Sequence, residues 1–334
     1  MSLLKVENLS VGFRRGAEVL NVINGVSFEV ERGEILALVG ESGCGKSAGC
    51  LALTRLNAGQ AVIDADSALF EKRSGEKVEL FSLLPKELRK IRGGGIAYIF
   101  QEPLSSLNPV FRIGDQIAEV LALHRKEIKD LQTEVERLLG AVGIPDPKAR
   151  MKNFPHELSG GMQQRVMIAM ALAGNPDLLI ADEPTTALDV TIQAQIIELM
   201  EQLRRENGTS IILITHNFGV VAQLADRVAV MYAGRIVESA PVAELISNPQ
   251  HPYTKALLAA VPVLGGDGQK LVTIPGQVPS PENFPAGCRF CGRCRECSGE
   301  LEKVCAAKVP GNVELSSGHK VACWKFAETL PECR

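Results

Sequence analysis

One eight-residue segment constrains this chain more than any other: Gly40-Glu-Ser-Gly-Cys-Gly-Lys-Ser47, set between a short apolar run and the start of a helix pattern. It has the form G-x-x-x-x-G-K-[ST]. Residues 34–39 (Glu-Ile-Leu-Ala-Leu-Val) suit a buried parallel strand. Gly40, Gly43 and Gly45 then permit a tight turn with its N–H groups pointing inward, at the N-terminus of a helix beginning near Lys46. Such a nest favours an anionic phosphate. Lys46 is expected to reach the β- and γ-phosphates of a nucleotide, and Ser47 to place its hydroxyl on Mg²⁺. Ser42, Cys44 and Ala48 complete the expected nucleotide-contacting set. A chance glycine turn ahead of a helix is the plain alternative, and a complete match between strand and helix argues against it. Unrelated nucleotide-binding proteins share this loop, so alone it implies a bound triphosphate and an α/β sheet.

Two later segments narrow the reading. The run Asp-Leu-Leu-Ile-Ala at 177–181 reads as a buried strand, and Asp182 and Glu183 follow at its carboxyl end, where open α/β sheets bind ligands. Asp182 is the expected Mg²⁺ partner, and Glu183 is placed to orient or deprotonate an attacking water. Without the phosphate loop, two acids after a strand would read as a solvated turn. Leu158-Ser-Gly-Gly-Met-Gln-Gln-Arg165 opens a strong helix pattern. Ser159, Gly160 and Gly161 offer free backbone donors and a hydroxyl at a positive helix end, a second anion site. The plain reading is an ordinary serine N-cap on a core helix. One chain does not easily wrap both anion sites round one phosphate.

These motifs together resemble the ATP-binding subunits of ABC transporters, specifically the D-type subunits of dipeptide, oligopeptide or nickel importers, over almost the whole length. The resemblance also covers Ile99-Phe-Gln-Glu-Pro103 continuing to Pro109, Ala181-Asp-Glu-Pro-Thr-Thr-Ala-Leu-Asp189, and Thr215-His216 after an apolar run at 210–214. It implies a P-loop NTPase fold of ABC type: a RecA-like α/β core with strand-rich and helical subdomains. It implies that Gln101 is the Q-loop glutamine, near the metal and the catalytic step, and that Asp189 belongs to the D-loop of a dimer interface. His216 is implied to be the switch histidine of the γ-phosphate, although a lone histidine after a strand is more often structural. Phe13 falls where the family stacks an aromatic on adenine, with Val19 or Val22 as other candidates for the base. The two anion sites are reconciled, because in that family the signature contacts ATP held by a partner subunit.

Composition sets limits. The 334 residues allow one large domain and a smaller one. A net charge of −3 leaves no broad basic field for a nucleic-acid backbone, and 4% aromatics leave few base-stacking surfaces. No apolar run approaches a bilayer span, and the N-terminal residues lack a signal-peptide pattern. The expectation is a peripheral protein at the cytoplasmic face of the membrane. Its implied partners are a second ABC ATPase, two membrane permease subunits and an extracytoplasmic peptide-binding protein. A soluble ABC ATPase acting on nucleic acid is the reading from another class, favoured by tandem cores or a basic tail.

Along the chain, residues 1–240 read as the nucleotide-binding domain, with a helical subdomain at about 102–164. Amphipathic patterns such as residues 118–139 mark that subdomain, and Pro145, Pro147 and Pro155 break it. Gly234 marks a turn before the last strand of this domain. Residues 241–334 read as a small cysteine-rich extension. Residues 248–260 (Asn-Pro-Gln-His-Pro-Tyr-Thr onward) resemble a helix of peptide-importer ATPases, and a proline-dense run follows at 274–287.

Of nine cysteines, Cys44 and Cys50 lie near the loop, Cys50 facing the core, and the other seven fall in the extension. That density argues for a metal centre over disulfides. Cys288, Cys291, Cys294 and Cys297 come close to the bacterial ferredoxin run without matching its last gap. The importer resemblance instead implies Cys288, Cys294, Cys305 and Cys323 as ligands. Cys291 and Cys297 remain rivals for Cys305, and Cys333 lies outside the pattern. Four thiolates suit a 4Fe–4S cluster or, alternatively, zinc, and the grouped spacing favours the cluster. Its expected role is structural, pinning the tail without itself touching the phosphates.

Overall fold

The computed structural model describes residues 2–57, 59, 61–185, 190–261 and 273–330. The chain divides into two compact units: Met1–Leu4, Glu29–Ile35 and Leu69–Ile214 in the first, and Lys5–Phe28, Leu36–Ala68 and Thr215–Arg334 in the second.

The first unit is built on three adjacent parallel strands, Ile96–Ile99, Leu178–Asp182 and Ser210–Ile214, in the register Tyr98, Ile180, Ile212. The latter two are buried along almost their whole length, as continuous apolar runs in a covered parallel sheet require. The helical part follows. Residues 118–139 are not one amphipathic helix but parts of two, Ile113–His124 and Leu131–Ala141. Asp130 makes the break, because its carboxylate accepts from the Thr133 N–H at 3.1 Å and from the Thr133 hydroxyl at 2.6 Å, a strong N-cap. Ile113, Ile117 and Leu121 form one buried stripe and Val135, Leu138 and Leu139 another. Both helices pack on the helix Gly160–Ala173. Pro147 and Pro155 start short helical turns at Pro147–Arg150 and Pro155–Glu157, since the fixed φ of proline suits a first helical position.

In the second unit the fully buried strand Ile35–Val39 runs parallel to Arg227–Tyr232 from Leu36 to Val39. Arg227–Tyr232 folds back on Arg235–Pro241 as an antiparallel pair. Ala233 and Gly234, at φ 44 and 78, make the two-residue turn between them, which matches the right-handed strand twist. Gly234 thus marks the expected turn, but Arg235–Pro241 is not the last strand of this sheet. The extension adds His319–Val321 beside it, pairing Ser239 with Lys320, and then Val313–Ser316 outside that. A three-residue strand paired across about eighty positions leaves no periodic signal in sequence. A further antiparallel pairing joins residues 10–13 to 61–64.

Glu238 is the anchor of the extension. Almost wholly buried, its carboxylate accepts from the N–H groups of Gln250 at 2.7 Å and His251 at 2.9 Å, and lies 2.8 Å from His319 Nε2. His251 in turn caps the helix Pro252–Ala259, its Nδ1 accepting from the Tyr253 N–H at 3.1 Å. Burial pulls the His251 imidazole down from 6.5 to about 3. Between those values the unfolded chain binds the extra proton, so stability rises with pH there and is lost as pH falls below 6.5. At pH 5 the loss is about 2 kcal/mol. We expect His251→Asn, which keeps a capping acceptor without titrating, to shrink the gap between urea midpoints at pH 7 and pH 5. An unchanged gap would mean that His251 does not carry this acid sensitivity.

Candidate nucleotide site

The phosphate loop has the conformation its glycines imply. Gly40, Gly43 and Gly45 adopt φ of 152°, 79° and 101°. A Cβ on Gly40 would stand 2.1 Å from the Met231 carbonyl oxygen, and one on Gly45 2.4 Å from Ile23 Cδ1. Only glycine fits at either position. The helix Lys46–Ala52 begins as expected. Lys46 is buried, its Nζ donating to the Gly40 carbonyl at 2.8 Å and the Glu41 carbonyl at 3.0 Å. Ser47 and Ala48 are half-buried and Ser42 is exposed. The Cys44 thiol is buried, which raises its pKa, and its sulfur accepts from Lys46 Nζ at 3.5 Å, while its carbonyl accepts from the Gly234 N–H at 2.9 Å. Cys50 is in the core, as expected of a free cysteine beside the loop.

Of the three base-facing candidates, Phe13 is half-buried opposite Ala61, and Val19 is exposed. The Val22 carbonyl lies 3.3 Å from a Cβ placed on Gly45, so the Val22 backbone borders the loop. His216 is exposed, just ahead of the helix Phe218–Leu224, which Asn217 caps by accepting from the Gly219 N–H at 2.9 Å.

The first unit holds the other predicted residues. Asp182 ends its strand, and Glu183 turns into the left-handed region at φ 50, with its N–H on the Ile214 carbonyl at 2.9 Å. A non-glycine residue there costs roughly 1–3 kcal/mol, and such strain gathers at functional sites. Gln101 is exposed, two residues beyond the strand Ile96–Ile99. Ser159 caps the signature helix, accepting from the Met162 N–H at 3.4 Å, so the plain N-cap reading holds at its hydroxyl. Ser159 and Gly160 are also exposed, and a Cβ on Gly160 or Gly161 would meet nothing within 4 Å. Internal packing therefore does not demand glycine at either position. Asp189 lies outside the described residues.

Three signature residues prove to be internal ties. Gln163 donates to the Pro155 carbonyl at 2.8 Å and Arg165 to the Val142 carbonyl at 2.5 Å. Gln164 donates at 2.8 Å to the carbonyl of Pro184, next to Glu183. They brace the signature helix against the acidic turn and the helical part.

In the extension, Cys288, Cys291, Cys294, Cys297, Cys305 and Cys323 line one small cavity with Phe290 and Trp324. The four cysteines of the importer pattern and both rivals are thus brought together; Cys333 lies outside the described residues. Cys291 Sγ and Cys297 Sγ are 3.0 Å apart. Burial, with mutual repulsion of the thiolates, pushes Cys288 up to about 12 and Cys305 to about 11. Among the described residues no three His, Cys, Asp or Glu side chains converge tightly enough to hold a single metal ion. The extension is not remote from the phosphate loop. The Glu41 N–H donates to the Tyr253 hydroxyl at 2.9 Å, and Arg293 reaches the Glu41 carboxylate. Sequence reasoning passed over Glu41 and Glu238, and read Tyr253 and Arg293 only as members of importer-like segments, with no contact to the loop. The arginine before Cys294 and the tyrosine after His251-Pro252 were the available signals.

No described helix is long and apolar enough to cross a membrane. Comparison with known proteins places the chain. A family profile described as ABC transporter matches residues 23–186, and one described as oligopeptide/dipeptide transporter, C-terminal region, matches residues 237–300. The oligopeptide transport ATP-binding protein AppD of Bacillus subtilis is 47% identical, over 98% of each chain. The dipeptide transport ATP-binding protein DppD of the same organism is 46% identical, over 96% of this chain and 94% of its own. Among solved structures, the dimeric post-hydrolysis state of the ATP-binding cassette MJ0796, bound to ADP and Pi, is 25% identical with a TM-score of 0.63. It covers 72% of this chain and 98% of its own. The glycine-locked loop, the strained acidic turn and relatives matching from end to end agree, and the chain belongs to the ABC transporter family as an ATP-binding cassette ATPase with the oligopeptide/dipeptide C-terminal region.

Proposed function

We propose that this ATPase energises the uptake of dipeptides or oligopeptides across the cytoplasmic membrane, as a peripheral subunit on its inner face. The observation that carries the reading is a sterically locked phosphate loop in one chain with a C-terminal region of the oligopeptide/dipeptide transporter type. Residues 1–240 serve as the nucleotide-binding domain and residues 241–334 as the importer extension. The loop Gly40–Ser47 and Ala48 hold the nucleotide's phosphates, with the base against Phe13 or the Val22 segment. Ser47, Asp182 and Gln101 are suited by their oxygen donors to Mg²⁺, which would neutralise phosphate charge. Glu183 accepts the proton of the attacking water, and His216 contacts the γ-phosphate. The exposed Ser159 and Gly160, with Gly161 beside them, meet nucleotide held by a second ATPase subunit, with Asp189 in the same interface. Two permease subunits carry the peptide through the membrane, and an extracytoplasmic peptide-binding protein delivers it.

Reconstitution with the two permeases in vesicles tests this. Uptake of a labelled oligopeptide that requires ATP is the expected result. Uptake of Ni²⁺ alone would move the reading to a nickel importer, and ATPase activity stimulated by nucleic acid but not by permeases would overturn it.

The cysteine cavity is suited to a 4Fe–4S cluster, because six soft thiols line one pocket and a cationic iron core would relieve their crowding. Cys288, Cys294, Cys305 and Cys323 are the proposed ligands, and the group supplies structural cross-linking. Anaerobically purified protein is expected to be brown, with about four irons and four acid-labile sulfides per chain. Cys288→Ser, Cys294→Ser and Cys323→Ser should each lose the colour, since a hydroxyl is a poor substitute for a thiolate; Cys333→Ser should keep it. Colourless protein with one zinc and no sulfide would replace the cluster by zinc.

A further inference from the structure

The second residue of the phosphate loop is gripped at both its backbone and its side chain by the extension. Arg293 forks the Glu41 carboxylate, Nη1 to Oε1 at 3.0 Å and Nη2 to Oε2 at 3.1 Å. The same guanidinium is fixed by the Pro275 carbonyl at 2.7 Å, the Gly276 carbonyl at 3.3 Å and the Tyr232 hydroxyl at 3.3 Å. Its side chain is 9% exposed and that of Glu41 28% exposed, so this pair is more shielded than a surface ion pair. The Glu41 N–H, meanwhile, is taken by the hydroxyl of the fully buried Tyr253. Tyr232, Tyr253 and Phe290 pack ring against ring beneath the pair, at centroid distances of 4.6 to 5.3 Å. A second arginine of the cysteine segment braces the other side. Arg289 donates to the Ala233 carbonyl and, at 2.7 Å, to Asn24 Oδ1. Ala233 adjoins Gly234, whose N–H holds the Cys44 carbonyl.

The wiring is asymmetric in an informative way. Arg293 stands between Cys291 and Cys294, so its position depends on the fold of the cysteine segment. Glu41 stands next to Gly40, whose tight approach to Met231 leaves the loop little freedom on that side. A bidentate, charge-assisted fork fixes orientation as well as distance. We propose that Arg293 and Tyr253 are positioning residues for the phosphate loop: by holding Glu41, the cysteine-rich extension sets how tightly the loop binds a nucleotide's phosphates. The proposal rests on the ATP-binding reading above and adds to it a control point in the extension.

The test is equilibrium titration of the full-length protein with a fluorescent ATP analogue, together with steady-state ATPase kinetics. Arg293→Ala and Glu41→Ala are each expected to raise the Kd about tenfold, and the double variant no more than about twofold beyond the weaker single, because both remove one shared fork. Tyr253→Phe, which loses one hydroxyl, and Arg293→Lys, which keeps charge without the fork, should fall between wild type and Arg293→Ala. KM for ATP should rise with kcat within about twofold, the signature of lost ground-state positioning. Trp324, the only tryptophan, bonds the Lys308 carbonyl at 2.9 Å within the extension, so its emission reports whether the extension stays folded. Losses that multiply in the double variant, or an unchanged Kd in Arg293→Ala with native Trp324 emission, would overturn the proposal alone. Wild-type protein that binds no analogue would remove the ATP reading and the proposal with it.

Discussion

Glu183→Gln is expected to lower ATP turnover by about three orders of magnitude while leaving ATP affinity within about twofold. The amide still donates to and accepts from water but cannot take its proton, so the chemical step fails and binding does not. The substitution preserves shape at a demanding position. Glu183 lies in the left-handed region, held by its N–H on the Ile214 carbonyl, and Gln164 fixes the next residue through the Pro184 carbonyl. Glutamine keeps the same branching as glutamate, so it adds no backbone cost beyond the one already carried. The variant should also accumulate as an ATP-bound dimer, visible by size-exclusion chromatography with ATP. Turnover within tenfold of wild type in the reconstituted transporter would remove Glu183 from the base role.

Lys46→Ala should act on the other half of the cycle and weaken ATP binding about a hundredfold, through loss of a direct cationic contact with the phosphates. A second, smaller effect follows from the packing. The buried ammonium donates to the Gly40 and Glu41 carbonyls, and alanine leaves both without that donor. Lost buried hydrogen bonds of this kind cost about 1–3 kcal/mol, so a lower melting temperature without nucleotide accompanies the binding defect. Gln101→Ala gives the contrast: an exposed side chain whose loss should leave affinity intact and reduce hydrolysis or its stimulation by permeases. Equal loss of affinity in both variants would contradict this division between binding and coupling.

The residues that had to be glycine, acidic or apolar were legible in the chain because local chemistry alone dictates them. Gly40 and Gly45 have φ values that side chains reject. The strands Ile35–Val39, Leu178–Asp182 and Ser210–Ile214 announced themselves as unbroken apolar runs, which only a doubly covered sheet accommodates. The signature helix was legible too, but the work of Gln163, Gln164 and Arg165 was not, since their acceptors lie on carbonyls up to twenty-three positions away. The break at Asp130 was missed for a different reason: hydrophobic periodicity ran on while a single carboxylate capped a new helix.

What the sequence by itself determined, then, is the phosphate loop, the acidic strand end, the signature helix and a tail dense in thiols, each a local pattern tied to one chemistry. Only the tertiary structure decided where that tail goes. It supplies strands to the edge of the second unit's sheet, hangs its helix and His319 on the buried Glu238, gathers six cysteines round one cavity and brings Arg293 and Tyr253 onto Glu41. Arg293 and Glu41 are separated by 252 positions. No local propensity records such a pair; it is chosen by the burial of Tyr232, Tyr253 and Phe290 beneath it, and burial is a property of the whole fold.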